Sequence, residues 1–126
     1  MNMKPVLPDI SGDDSIKVLV DSFYLKVNSD DLLAPVFNDV ARVKWDEHLP
    51  IMYQFWSTLL FHTNAYRGRP WPKHVFLPVS AEHFARWVLL FQETVDENFS
   101  GPKANDAKNM AASIANTFQN RLHLGL

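Results

Sequence analysis

The chain has no cysteine. That one absence excludes disulfide staples, thiolate-held metal centres and cysteine nucleophiles together. Glycine is scarce as well, with four residues in 126, and neither GxxxxGK[ST] nor GxGxxG occurs, so no glycine-rich loop stands ready to cradle phosphates. HExxH and GxSxG are also missing. Neither sign of charge dominates: 12 basic side chains face 14 acidic ones for a formal charge of −2, which excludes the basic footprint of a nucleic-acid binder. The longest uncharged runs, 49–66 and 75–81, contain prolines, histidines or polar residues, and neither reads as a membrane span. The opening MNMKPVLPDISGDD lacks the apolar core of a signal peptide. A cytoplasmic protein is expected, without membrane or nucleic-acid partners.

What the chain has in quantity is apolar and above all aromatic surface. Hydrophobic residues make up 47% and aromatics 13%, from nine Phe, four Trp and three Tyr. A chain of this length reads as one domain, 1–126, able to bury roughly two thirds of its unfolded surface without staples. The rings exceed what so small a core needs, and spare flat apolar surface invites a flat apolar guest.

Prolines and glycines divide the chain. Pro5 and Pro8 keep residues 1–12 extended. Asp13 or Asp14 is the expected cap of a helix to about Asn28, with Ile16, Val20, Phe23, Tyr24 and Val27 on one face; Tyr24 therefore points inward. Asp30 to Asn38, around Pro35, reads as a bent turn of helix. From Lys44 to about His62 the period is again helical, and His48, Met52, Phe55 and Leu59 share the buried stripe. Pro50 costs about 3 kcal/mol inside a helix, so it is placed in the first turn opposite His48, or at a kink. Gly68, Pro70, Pro72 and Pro78 deny a long helix or central strand to the stretch 64–80. Ser80 is the expected cap of a helix to about Phe99, with Phe84, Val88, Phe91 and Val95 inward and Trp87 at the edge. Gly101 and Pro102 end it. A last helix runs from about Ala104 to His123 with Ala107, Ala111, Ile114, Phe118 and Leu122 inward. No alternating segment competes as a strand, and the chain reads as all-α.

Two acidic pairs, Asp30/Asp31 and Asp46/Glu47, fall at expected helix starts, where carboxylates offset the helix dipole. Five histidines remain: His48, His62, His74, His83 and His123. No two are spaced i, i+3 or i, i+4, which leaves a helix-borne zinc site without support. An iron porphyrin is less demanding, because it brings four nitrogens of its own. It asks for one imidazole, a flat apolar slot and basic groups near its propionates. His74, on a short proline-bounded segment, can be the axial ligand, with Val75, Phe76 and Leu77 beside it and Arg67, Arg69 or Lys73 at the propionates. On the opposite side, Tyr24 and His48 are polar residues on apolar stripes, and Trp87 brings an indole N–H that only donates. Burying these three without partners would cost about 1 to 3 kcal/mol each, so they share a partner or a guest. A diatomic acceptor such as dioxygen would serve; an internal hydrogen-bond network with no guest is the alternative.

The runs DSFYLKVNSDDLLAPVFND, WDEHLPIMYQFWSTLL and AYRGRPWPKHVFLPVSAEHFARWVLLFQETVDENFSG, in this order, resemble the truncated haemoglobins of the third group from about Ser15 to Leu122. The absence of a Gly-Gly pair after the first helix agrees with that group. The resemblance implies a shortened globin fold, a two-over-two helical sandwich around haem b. It makes His74 in PKHVFLP the proximal ligand, Tyr24 in FYLKV the distal tyrosine, His48 in WDEHLP the distal histidine and Trp87 in HFARWVLLF the distal tryptophan. Phe37 in PVFND would pack on the porphyrin, with Met52, Phe55, Trp56 and Leu77 as further wall residues. Pro50, two residues past His48, departs from the pattern.

The implied role is reversible binding of dioxygen and other diatomic ligands by a monomer, with a reductase keeping the iron ferrous. Haem-dependent peroxide chemistry or nitric oxide conversion is the enzymatic alternative. A haem sensor and a haem-free helical interaction module are the remaining readings.

Overall fold

The computed structural model describes residues 6–63 and 79–121. They form α1 (Asp13–Asn28), a π-helical turn (Val36–Val40), α2 (Trp45–Phe61), α3 (Ala81–Asn98) and α4 (Pro102–Arg121). Among the described residues there is no strand, and no helix is long and apolar enough to cross a membrane.

The apolar spacing accounts for α1, whose buried side chains are Ile16, Leu19, Val20, Phe23, Tyr24 and Val27. Its start differs from expectation: Gly12 is the N-cap, and Asp13 and Asp14 lie inside the first turn. There the Ile16 N–H reaches the Gly12 carbonyl at 3.0 Å, and the two carboxylates face the positive end of the helix without capping it. The expected bend around Pro35 becomes a wide turn, in which the Ala41 N–H donates to the Val36 carbonyl at 2.8 Å and the Val43 N–H to the Phe37 carbonyl at 2.9 Å. Arg42, at φ 52°, redirects the chain into α2.

Pro50 sits inside α2, in its second turn, and not in the first turn or at a break. It is exposed, as is Asp46, whose carbonyl loses its helical donor, so water can take that donor's place. The acidic pair Asp46/Glu47 occupies the first turn as expected. Asp30 also stands at the start of a helical segment, where its carboxylate accepts the Leu32 and Leu33 N–H groups at 3.2 and 3.0 Å, and it further accepts the Arg86 Nε–H at 2.7 Å. It therefore ties the turn after α1 to α3.

Helix α1 packs on α2 and on α3, α3 packs along α4, and α2 touches α4 more lightly. The result is two helical pairs laid across each other. The core between them holds Phe23, Trp56, Leu60, Phe91 and Val95. On α4 the buried positions are all alanine, Ala104, Ala107, Ala111 and Ala115, which lets that helix approach closely. The N-terminal segment is pinned to the α3–α4 corner by the Ser100 N–H, donating to the Pro8 carbonyl at 3.0 Å, and by Asp9.

One stripe is shifted from its expected place. On α2 the buried side chains are Trp56, Ser57 and Leu60, while His48, Met52, Phe55 and Leu59 are half-buried. Three of those four, His48, Met52 and Phe55, line a cavity.

Candidate functional site

That cavity has a volume of about 360 Å³ and is bounded by α1, the π-helical turn, α2, α3 and α4. Its wall is largely carbon, with a few polar heads set into it, which is the usual composition of a small-molecule site. Each helix contributes through the face its sequence makes apolar. From α1 comes Tyr24, from the turn Phe37, from α2 His48, Met52, Phe55 and Trp56, and from α3 Phe84 and Trp87.

On the α1–α2 side three rings meet. Tyr24 and His48 are perpendicular at 5.6 Å between centroids, and Trp45 contacts both, Tyr24 at 5.2 Å and His48 at 5.6 Å. Phe37 stacks on Trp45 at 5.9 Å and meets the Tyr24 ring edge-on at 6.0 Å. The Nε2 of His48 is shielded from solvent. Burial pushes the Tyr24 phenol well above its ordinary value, because a phenolate there would be desolvated. Tyr24 is therefore a neutral hydroxyl at any physiological pH, able to donate.

On the α3 side Trp87 belongs to a stack. It lies 5.8 Å from Phe91 with 18° between planes, and Phe91 lies 4.7 Å from Trp56 at 21°. Phe23 closes edge-on against Trp87 and Phe91 at 5.5 and 5.1 Å. These contacts fix the indole of Trp87 at the cavity wall. His83 also lines the cavity, and its Nδ1 accepts the backbone N–H of the cap residue Ser80 at 3.0 Å. A backbone N–H only donates, so Nδ1 is the acceptor in this bond.

Seven residues singled out from the sequence, Tyr24, Phe37, His48, Met52, Phe55, Trp56 and Trp87, thus surround one cavity. Arg67, Arg69, Lys73, His74 and Leu77 lie outside the described residues. Sequence reasoning missed Trp45, Asn38 and His83. Trp45 stands three residues before His48 on the same helix face, a signal that was present in WDEHLP. No cluster of three or more His, Asp or Glu that can hold a metal ion occurs among the described residues.

Helical pairs crossed over a ring-lined pocket define a shortened globin. The family model of the bacterial-like globins matches residues 6–120, and the chain belongs to that family, in its group 3 truncated-haemoglobin branch. It is 34% identical over 114 residues to the group 3 truncated haemoglobin ctb of Campylobacter jejuni, covering 87% of this chain and 90% of that protein. It is 32% identical over 83 residues to a group 1 truncated haemoglobin of Nostoc commune, covering 65% and 68% of the two chains. The crystal structure of the group III truncated haemoglobin from Campylobacter jejuni superposes with a TM-score of 0.81 at 32% identity, covering 97% of this chain and 95% of that one.

Proposed function

We propose that the cavity holds haem b and that the chain binds dioxygen and other diatomic ligands there. The observation that carries this reading is the convergence of Tyr24, His48 and Trp87 on a cavity whose remaining wall is mostly carbon. The residues present fit an iron porphyrin: Phe37, Met52, Phe55 and Trp56 offer flat apolar surface to a macrocycle, and the three polar heads offer donors to a small guest. Haem, when bound, supplies an iron with one open position for a diatomic molecule.

The chain's own residues do the rest. His74 would hold the iron through one neutral ring nitrogen, and a carbonyl or water accepting from the other nitrogen would fix the tautomer. Arg67, Arg69 or Lys73 would meet the propionates. The Tyr24 hydroxyl and the Trp87 indole N–H donate to the guest, and the rings around them exclude water. His48, at the α2 edge of the cavity, contacts the guest or controls its access. A reductase that keeps the iron ferrous is the partner this reading requires.

The test is the visible spectrum of protein purified with haem supplied. A Soret band lost in His74→Ala and retained in His83→Ala supports the assignment. Absence of a Soret band from the wild type ends it and leaves a helical interaction module.

The same donors also favour a second reading, haem-dependent peroxide or nitric oxide conversion, because hydrogen-bond donors can stabilise charge that develops on a reacting guest. Stopped-flow mixing with peroxide or nitric oxide distinguishes the two: rapid multiple turnover supports an enzyme, and simple binding supports a ligand carrier or store.

A further inference from the structure

We propose that Trp45 is a positioning residue for the pocket: held by its indole N–H on Asn38, it braces Tyr24 and His48 and so sets how fast a diatomic guest leaves. The inference rests on the haem reading above and adds a residue that lies behind the cavity wall.

The geometry is a closed set of contacts. Trp45 packs on Tyr24 and on His48 without lining the cavity itself. Its Nε1–H, which can only donate, goes to Asn38 Oδ1 at 2.9 Å. The orientation of that amide is not free. The Asn38 NH₂ group donates to Asn28 Oδ1 at 2.9 Å and to the Ala34 carbonyl at 3.0 Å, which leaves the carbonyl oxygen for Trp45. Asn28 is the last residue of α1, Asn38 lies in the π-helical turn, and Trp45 is the first residue of α2. One indole is thus anchored by a chain of side-chain bonds running back to the end of α1. It presses on the two polar rings that face the cavity from α1 and α2. Phe37, stacked on the same indole, limits its tilt from the turn side. If the Trp45 bond is cut, the indole can rotate, and Tyr24 and His48 lose the surface that holds their donors in place.

Three variants test this: Trp45→Phe, which keeps a ring and removes the donor, Asn38→Ala, which removes the acceptor, and the two combined. In haem-loaded protein each single variant raises the dioxygen dissociation rate about fivefold, the factor carried by one net hydrogen bond. The double variant does no more than either alone, because both changes break one bond. In haem-free protein, the Trp45 indole proton exchanges faster and the Tyr24 and His48 ring resonances shift in Asn38→Ala, which leaves all three rings in place. A merely structural role would lower the melting temperature and leave those ring resonances and the coupling unaffected. Dissociation rates within about twofold of the wild type in both single variants, or effects that multiply in the double variant, overturn the proposal. If the wild type takes up no haem, the haem reading fails separately. The bracing is then judged on the resonances alone, and unmoved Tyr24 and His48 signals overturn it.

Discussion

Asp9 caps a helix that begins more than ninety residues after it: its two carboxylate oxygens accept the backbone N–H groups of Lys103 and Ala104 at 3.0 and 2.8 Å. The same carboxylate accepts its neighbour Ile10 N–H at 2.9 Å. Gly101, at φ +143°, makes room for it, since a Cβ there would lie 2.6 Å from the Asp9 Cγ. Replacement of Asp9 by Ala should cost about 1 to 2 kcal/mol, the usual worth of a helix cap, measured by urea unfolding. Gly101→Ala should destabilise through the clash and the strained backbone together. Wild-type stability in Asp9→Ala would show that α4 needs no borrowed cap.

Acid should unfold the protein partly through two carboxylates. For Asp9, burial pushes the pKa up, but the backbone donors of Lys103, Ala104 and Ile10 and the Lys103 charge outweigh it, and the net shift is downward. For Asp30 burial again opposes, and the Leu33 and Leu32 N–H groups with the Arg86 guanidinium prevail. A depressed carboxyl pKa contributes stability that is present above the unfolded value of about 4 and lost as the pH falls through the folded one. The acid limb of a pH–stability curve should therefore flatten in Asp30→Asn. An unchanged limb would mean that the Asp30–Arg86 bond contributes no pH dependence.

Tyr24→Phe removes one hydroxyl and keeps the ring contacts. If that hydroxyl holds the guest, dioxygen dissociation should accelerate roughly 10- to 100-fold, the effect of a bond worth about 1.5 to 3 kcal/mol. Stopped-flow displacement by carbon monoxide measures it, and an unchanged rate removes Tyr24 from the set of donors.

Because burial raises the Tyr24 phenol above its usual range, the hydroxyl stays protonated through the pH at which a free tyrosine ionises, about 10. The rate of dioxygen release should show no tyrosine step between neutrality and that pH. An inflection below pH 10 that disappears in Tyr24→Phe would contradict the burial.

Trp87 carries two roles that can be separated. Trp87→Phe keeps a ring on Phe91 and loses the donor, so ligand release should quicken while stability changes little. Trp87→Ala also removes a ring from the stack with Phe91 and Phe23 and should lower stability clearly more than Trp87→Phe in thermal or urea unfolding.

Local patterns carried most of this fold. The helical period of α1, with Tyr24 turned inward, and the Ser80 start of α3 are read from residues a few positions apart, and the structure agrees. Three features were not legible in this way. The Asp9 cap joins segments far apart in the chain, and no spacing rule reaches that far. The Trp45–Asn38 bond depends on the extra residue in the π-helical turn, which changes the register of Asn38 in a way composition does not reveal. The α2 stripe illustrates a different limit: hydrophobicity marks His48, Met52 and Phe55 as turned away from water, but a cavity wall and a packed core look alike in sequence.

The most deeply buried positions of α4 carry only methyl groups, from Ala104 to Ala115, with Met110 and Ile114 packed at their margin. That choice works like a calliper on the neighbouring chamber. Small side chains let α4 lie close to its neighbours, and at the chamber's border Phe84 of α3 and Phe118 of α4 meet with centroids 6.4 Å apart. A single bulkier side chain at Ala111, which has no exposed surface, should push α4 outward and reshape the berth from a point that does not line it.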